Sequence, residues 1–448
     1  MRDILLLIIT FGCSVRALQQ PMMGLLAFVF YGFFAPQTWA WSIAKGVPHS
    51  QILTGCTIIG YLVSSEKKKL PVTRESALLM SMWIFFGITT VFAENHAGAL
   101  DQFILFSKIL FMALLSTSIV KNQQQMHMLL KAMALGIGLY GLKGALFFLA
   151  TGGTGMVEAP EGSFLSSNNS LALALVVNLP IIVYLIKVEN RPWLKLLLKG
   201  VLASSYIAII GCFSRGAWLA AGIVTLMLFR QCERKAMLIV GAILTVLIAT
   251  IIVPTLSSHI ISKRVVERYE TLNNIEEDNS SQSRLWSWEF CKRVGLQNPV
   301  LGAGFNYYSI EAYEKYYPEM LTRWPGKQWS CHSIWFSVFS EHGIVGFLIW
   351  ISLLGSCFMT IRLVQSNVRG SPDESWGIYL TEALKISLMG FIIGGSFLDF
   401  AYFDGYYQII GLIIIAKKTI PYKKTLDRVS AQTFNIEVYN NNNLVTGK

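Results

Sequence analysis

Charge is what this sequence has little of. Asp, Glu, Lys and Arg make up 14% of its 448 residues, against 53% hydrophobic residues. Polar groups are too few to cover a soluble globule of this size, so water is not the main solvent of the chain. Cysteine is sparse and unpatterned: the seven cysteines form neither a disulfide framework nor a zinc-ligand spacing. Cys13, Cys56, Cys212 and Cys357 fall in or beside apolar runs, as packing residues do. Cys291 and Cys331 share the one long polar stretch, where an oxidising compartment would permit a disulfide between them. A cleavable signal is not expected either. The apolar run from Ile4 to Cys13 behind Arg2 is followed by no small-residue cleavage site but by further hydrophobic segments, and it reads as an uncleaved anchor.

What the sequence has instead is a series of long apolar stretches. A span needs roughly 20 such residues to cross a hydrocarbon core ~30 Å thick. The net charge of +11 would suit nucleic acid if the basic residues gathered on one folded face. Here they lie in short clusters between apolar segments: Lys67, Lys68, Lys69 and Arg74; Lys187, Arg191 and Lys195; Arg230, Arg234 and Lys235; Arg362 and Arg369; Lys417, Lys418, Lys423 and Lys424. The positive-inside rule puts each cluster in the cytoplasm. Spans then read as approximately 50–64, 76–92, 99–119, 127–150, 168–186, 197–213, 214–230, 236–255, 333–360, 379–399 and 403–417. The stretch from Ile4 to Phe34, interrupted at Gln19, Gln20 and Pro21, reads as a broken or re-entrant pair behind a cytoplasmic Arg2. The expected fold is therefore an all-α integral membrane protein of about twelve transmembrane helices. Residues 1–255 carry the N-terminal helices, 256–332 form a large extracytoplasmic loop, 333–417 carry the C-terminal helices and 418–448 are a polar cytoplasmic tail.

The groups able to do chemistry gather on the outer side. In the long loop, Lys263 to Leu272 and Ser283 to Gly295 read as helices, the second with Trp286, Phe290 and Val294 on one stripe before Asn298 and Pro299 stop it. The turn Gly302-Ala303-Gly304 follows. The aromatic run Tyr307, Tyr308, Tyr313, Tyr316, Tyr317, Trp324 and Trp329 is either an interfacial belt or a sugar-stacking surface. His332 stands at the outer end of an inward-running span, at a helix N-terminus whose dipole disfavours imidazolium; a neutral imidazole there is a usable general base, or else a cap.

Arg215, in Phe213-Ser214-Arg215-Gly216, sits at an outer hairpin, where an arginine either snorkels or finds an anionic partner such as a diphosphate, held through two parallel bonds. Lys108 and Lys143 lie within spans and either pair locally or mark a site. Glu276-Glu277-Asp278 reads as solvated, and no metal is expected. Asp399 and Asp404 flank the last outer hairpin, where they would contact sugar or position an arginine. Glu341 and His342 read as structural, and Asn168 and Asn169 as caps.

His332-Ser333, nine residues, Gly343, two residues and Gly346 resemble the signature of bacterial O-antigen ligases and the related O-antigen polymerases and O-linked oligosaccharyltransferases. Glu267-Arg268-Tyr269-Glu270-Thr271, then Glu277-Asp278-Asn279-Ser280, Arg284 before Trp288, Pro299 and Gly302-Ala303-Gly304 are similar to the same superfamily, especially its exosortase-associated O-glycosylation ligases. The start Met1-Arg2-Asp3 looks like that branch as well. The resemblance is strong over residues 205–350 and loose elsewhere from 1 to 417.

The resemblance implies a GT-C-like fold and an inverting transfer on the periplasmic face of the bacterial inner membrane. A glycan would pass from undecaprenyl pyrophosphate to a hydroxyl of lipid A core, in lipopolysaccharide biosynthesis. His332 would be the base, and Arg215 and Arg284 would hold the pyrophosphate, although Arg284 also reads as a solvated loop charge. Ser333, Gly343, Gly346, Gly302 and Gly304 would support the motif. No cofactor, metal or nucleic acid enters. The rivals are a polymerase or protein oligosaccharyltransferase of the same superfamily, and a flippase for lipid-linked sugars, which would place its charges near mid-membrane.

Overall fold

A computed structural model describes residues 2–65, 70–231, 279–369 and 374–420. Lys67 to Lys69, Arg234, Lys235, the expected span 236–255, the expected helix from Lys263 to Leu272, the Glu267 to Asp278 motifs and the tail beyond residue 420 lie outside these. Among the described residues the chain is helical throughout, with no strand. The first group is α1 (Arg2–Gln19), α2 (Pro21–Phe34), α3 (Ile43–Gly46), α4 (His49–Val63), α5 (Arg74–Val91), α6 (His96–Ile119), α7 (Gln123–Ala150), α8 (Asn168–Val188), α9 (Pro192–Gly211) and α10 (Arg215–Gln231). Then come α11 (Asn279–Gln297), α12 (Ile310–Tyr316), α13 (Pro318–Arg323), α14 (Ile334–Val368), α15 (Glu374–Gly395) and α16 (Asp404–Thr419).

Local chemistry sets the helix starts. Thr73 and Ser76 form a reciprocal capping box on α5, Asn95 and Asn122 cap α6 and α7, and Pro21 and Pro192 open α2 and α9, where a missing N–H costs nothing. Six of the helices are long and apolar enough to cross a membrane: α6, α7, α8, α9, α14 and α15. The chain reads as a multi-pass membrane protein. α8 lies at the centre, buried from Leu171 through Ile182, with α7, α9, α10 and α15 packed around it.

The two ends of the bundle differ in charge. Lys121, Lys187, Arg191, Lys195, Arg369, Lys417 and Lys418 share one end. There the buried Glu75 accepts from Ser356 and Thr360, each at 2.6 Å, with Lys417 at 3.7 Å, and so ties α5, α14 and α16 together. Arg2 belongs to the opposite end, which corrects the sequence reading. Asp3 accepts from the backbone N–H of Ser42 at 3.0 Å and of Ala44 at 3.2 Å, beyond α2, so α1 and α2 form a hairpin that returns to its starting end.

At that same end, α11 to α13 form a small domain with its own core. Phe290 stacks on Tyr313 at 3.8 Å between centroids, and Val294, Tyr307, Tyr316 and Met320 close around them. A disulfide joins Cys291 to Cys331. The tyrosines expected to form a belt or a sugar surface are thus core residues. A core this small supplies little aliphatic area, and large rings make up the difference.

Candidate active site

α14 is not one continuous helix. Gly343 interrupts it with φ 63° and ψ −170°, a conformation open to glycine and strained for other residues. The backbone groups freed by this break are taken up by the turn that follows α11. Ala303 N–H donates to Ser340 O at 2.9 Å, Gly304 N–H to Glu341 O at 2.9 Å, and Ile344 N–H to Pro299 O at 2.8 Å. A Cβ on Gly302 would lie 2.4 Å from the Glu341 carbonyl carbon, and one on Gly343 would lie 2.5 Å from the Val300 oxygen. The two glycine motifs of the sequence are therefore two sides of one contact. A broken helix end in this setting is a place where a polar group can be aimed into a cavity.

His332 precedes the first turn of α14 and adopts φ 47°, a left-handed conformation unusual for a side chain of its size. Its carbonyl accepts from Trp288 Nε1 at 3.4 Å, and Trp288 stacks on Phe336. Burial pushes the imidazole pKa below its usual value; Asp399 acts to raise it and Arg284 to lower it. The net effect keeps it neutral near pH 7. Asp399 accepts from Ser337 Oγ at 2.6 Å, one turn further along α14, and burial raises its own pKa.

Arg284 lies one turn before Trp288 on α11. It lines a narrow crevice with Ser214, Gly216, Asn169 and Phe397. Arg215 opens α10 at this point, immediately after Phe213 and Ser214 turn the chain with Phe213 at φ 51°. Asn168 helps to hold that turn, since its Nδ2 donates to Cys212 O at 2.8 Å. The cap of α8 is Ser167, not Asn168 or Asn169. Arg284 and Asp399 thus each fall within electrostatic reach of His332, and the turn carrying Arg215 adjoins Arg284.

Asp399 also lines a pocket of about 190 Å³, with Gln102, Asn306, Glu341, Tyr402, Asp404, Phe400 and Phe403. Glu341, expected to be structural, is buried in its wall and accepts from Tyr402, from Tyr308 at 3.1 Å and from the Asn306 N–H at 3.3 Å. Sequence reasoning passed over Gln102, Asn306 and Tyr402. The available signal was a carboxylate inside an apolar span, which is expensive without a purpose. His342 does read as structural: it bonds Thr89 Oγ1 at 2.7 Å and stacks on Phe86 at 3.5 Å.

The pocket adjoins a larger apolar cleft of about 740 Å³ between α2, α4, α5 and α6, with Leu105, Ile109, Phe164 and Asp404 lining both. Lys108 lines this cleft. Lys143 is accounted for locally, 2.9 Å from the centroid of the Trp39 ring. Among the described residues no three His, Cys, Asp or Glu side chains gather as a metal site.

Residues 200–351 match the family model described as O-Antigen ligase, and residues 1–190 match a family of unknown function, DUF5935. No curated protein matches the chain.

Proposed function

The chain carries an O-antigen ligase domain over residues 200–351 and is a member of that superfamily; on that premise we propose that it is a lipid-pyrophosphate-dependent glycan ligase. The observation that carries this reading is the position of His332 beside both Arg284 and Asp399. The neutral imidazole takes the proton of an acceptor hydroxyl as its oxygen attacks the anomeric carbon. The bond from that carbon to the phosphate oxygen breaks, and the undecaprenyl pyrophosphate leaves with the electron pair. Attack opposite the leaving group inverts the anomeric centre. General-base help of this kind is worth typically ~10²–10⁴ in rate. Arg215 and Arg284 hold the pyrophosphate and stabilise the charge that builds on it, work for which guanidinium forks suffice without a metal ion.

The reading extends to topology. The basic end of the bundle faces the cytoplasm of a bacterial inner membrane, and the His332 end faces the periplasm, with residues 256–332 as the large catalytic loop. The apolar cleft beside the polar pocket gives hydrocarbon chains of a lipid-linked substrate room next to the reacting sugars. The gathering of His332, Arg215, Arg284 and Asp399 at one face argues for an enzyme over a transporter, which needs its charges near mid-membrane. The acceptor is the oligosaccharide of lipid A core, in lipopolysaccharide biosynthesis.

The test is transfer from purified undecaprenyl-pyrophosphate-linked glycan to purified lipid A core, with wild type, His332→Ala and Arg215→Ala in matched folded preparations. Core-attached product with wild type alone supports ligase and roles together. Glycan chains that lengthen without attachment to core would make it a polymerase, and donor that crosses the bilayer unreacted would make it a transporter.

A further inference from the structure

The two sides of His332 differ in charge. Arg284 lies in the crevice beside the Arg215 turn, whereas Asp399 lies in the wall of the 190 Å³ pocket. No lysine, arginine or histidine is in the lining of that pocket. A diphosphate placed there would be desolvated beside three carboxyl groups with no cation in the lining to hold it, which disfavours it. The lining instead suits a neutral polyol. Gln102 makes no side-chain hydrogen bond to another described residue, and Asp404 accepts only from its own backbone N–H, so both have bonding capacity to offer. The opposite wall is aromatic: Phe400 stacks on Phe403 at 4.5 Å, and Phe403 on Phe164 at 5.9 Å. Mostly apolar walls with a few convergent polar groups are the usual composition of a small-ligand site.

We propose that this pocket is the acceptor subsite, in which Gln102, Asn306, Asp399 and Asp404 bind the hydroxyls of an uncharged pyranose against the Phe400 face. The proposal rests on the glycosyl-transfer reading and assigns the base its two neighbours: donor pyrophosphate on the arginine side, acceptor ring on the carboxyl side. Glu341 acts here as a positioning residue, since its contacts to Asn306 and Tyr308 and to Tyr402 hold two segments of the site in register with α14.

Binding and transfer test the two readings separately. Saturation-transfer NMR on the purified full chain with methyl glucoside and methyl galactoside as probes should show ring contact in wild type, and Gln102→Leu and Gln102→Ala, at a residue that lines the pocket and not the lipid cleft, should weaken it about tenfold, the size of one hydrogen bond. Binding of undecaprenyl pyrophosphate should not change. Sugar binding unaffected by either substitution, or loss of undecaprenyl pyrophosphate binding in their place, overturns the subsite whether or not transfer is seen. In the transfer assay the same variants should raise the acceptor KM about tenfold and leave the donor KM alone. A wild type that binds the sugars but transfers nothing sinks the ligase reading and leaves the subsite standing.

Discussion

Cys291 and Cys331 are joined across the outer domain, and the bond links α11, which carries Arg284, to the residue immediately before His332. The disulfide therefore fixes the two site-bearing segments relative to each other. Reduction, or the Cys291→Ala/Cys331→Ala pair, should destabilise the outer domain by about 2–4 kcal/mol. It should also lower kcat more than it raises the donor KM, because misplacing a base affects the chemical step most. Transfer rates with and without a membrane-permeant reductant, alongside mass-spectrometric proof of free thiols, measure this. Full activity in verified reduced protein would show that the tie has no positioning role.

The acid limb of the pH profile follows from the groups around His332. If His332 is the base, it acts when deprotonated, so kcat/KM falls as pH drops through its pKa, and burial with Arg284 places that pKa below the ordinary 6.5. Asp399→Asn removes the charge that raises the pKa, and the limb should move to lower pH. Arg284→Gln removes the charge that lowers it, and the limb should move up. Both variants will be slower at every pH, but the direction of movement is independent of rate. A limb that stays in place in both would mean that some other group titrates.

The break in α14 gives a sharp contrast between two glycines of one helix. Gly343→Ala demands a positive φ from alanine and pushes its Cβ toward the Val300 oxygen, 2.5 Å away, whereas a Cβ at Gly355 meets nothing within 4 Å. The first substitution should cost about 1–3 kcal/mol or more and the second should be neutral or stabilising by about 0.5–1 kcal/mol. Thermal-shift midpoints of detergent-purified protein read this directly: lower for Gly343→Ala, unchanged or higher for Gly355→Ala. Equal midpoints would show that the turn from Pro299 to Gly304 does not depend on the break.

The helices were legible because apolar length and basic punctuation are local. The expected spans 168–186 and 214–230 fall within two residues of the α8 and α10 limits at both ends. The orientation of α1 was not legible, since Asp3 is held by Ser42 and Ala44, some forty residues away, and that segment's lone charge, Lys45, lies at the end opposite the basic clusters. The motif residues His332, Gly302 and Gly343 stood out through their resemblance to a family signature. That the two glycines meet depends on a long-range fit of backbone against backbone, which no local pattern announces. Glu341 was read as structural because a carboxylate two turns into an apolar helix normally points into packing; only the break at Gly343 turns it toward a pocket.

Arg284 permits a test of geometry against charge. Arg284→Lys keeps the positive charge beside His332, so the acid limb should stay where it is in wild type. It loses the planar fork that binds two phosphate oxygens at once, and lysine's point charge on a flexible stem does not restore it. If Arg284 clamps the leaving pyrophosphate, Arg284→Lys should lower kcat/KM for the donor by about 10–100-fold, the weight of a charge-assisted hydrogen bond to a developing charge. Arg284→Gln should lower it further and move the limb as well. A lysine variant as active as wild type would show that Arg284 acts only through its field on His332, which would leave Arg215 as the sole donor clamp.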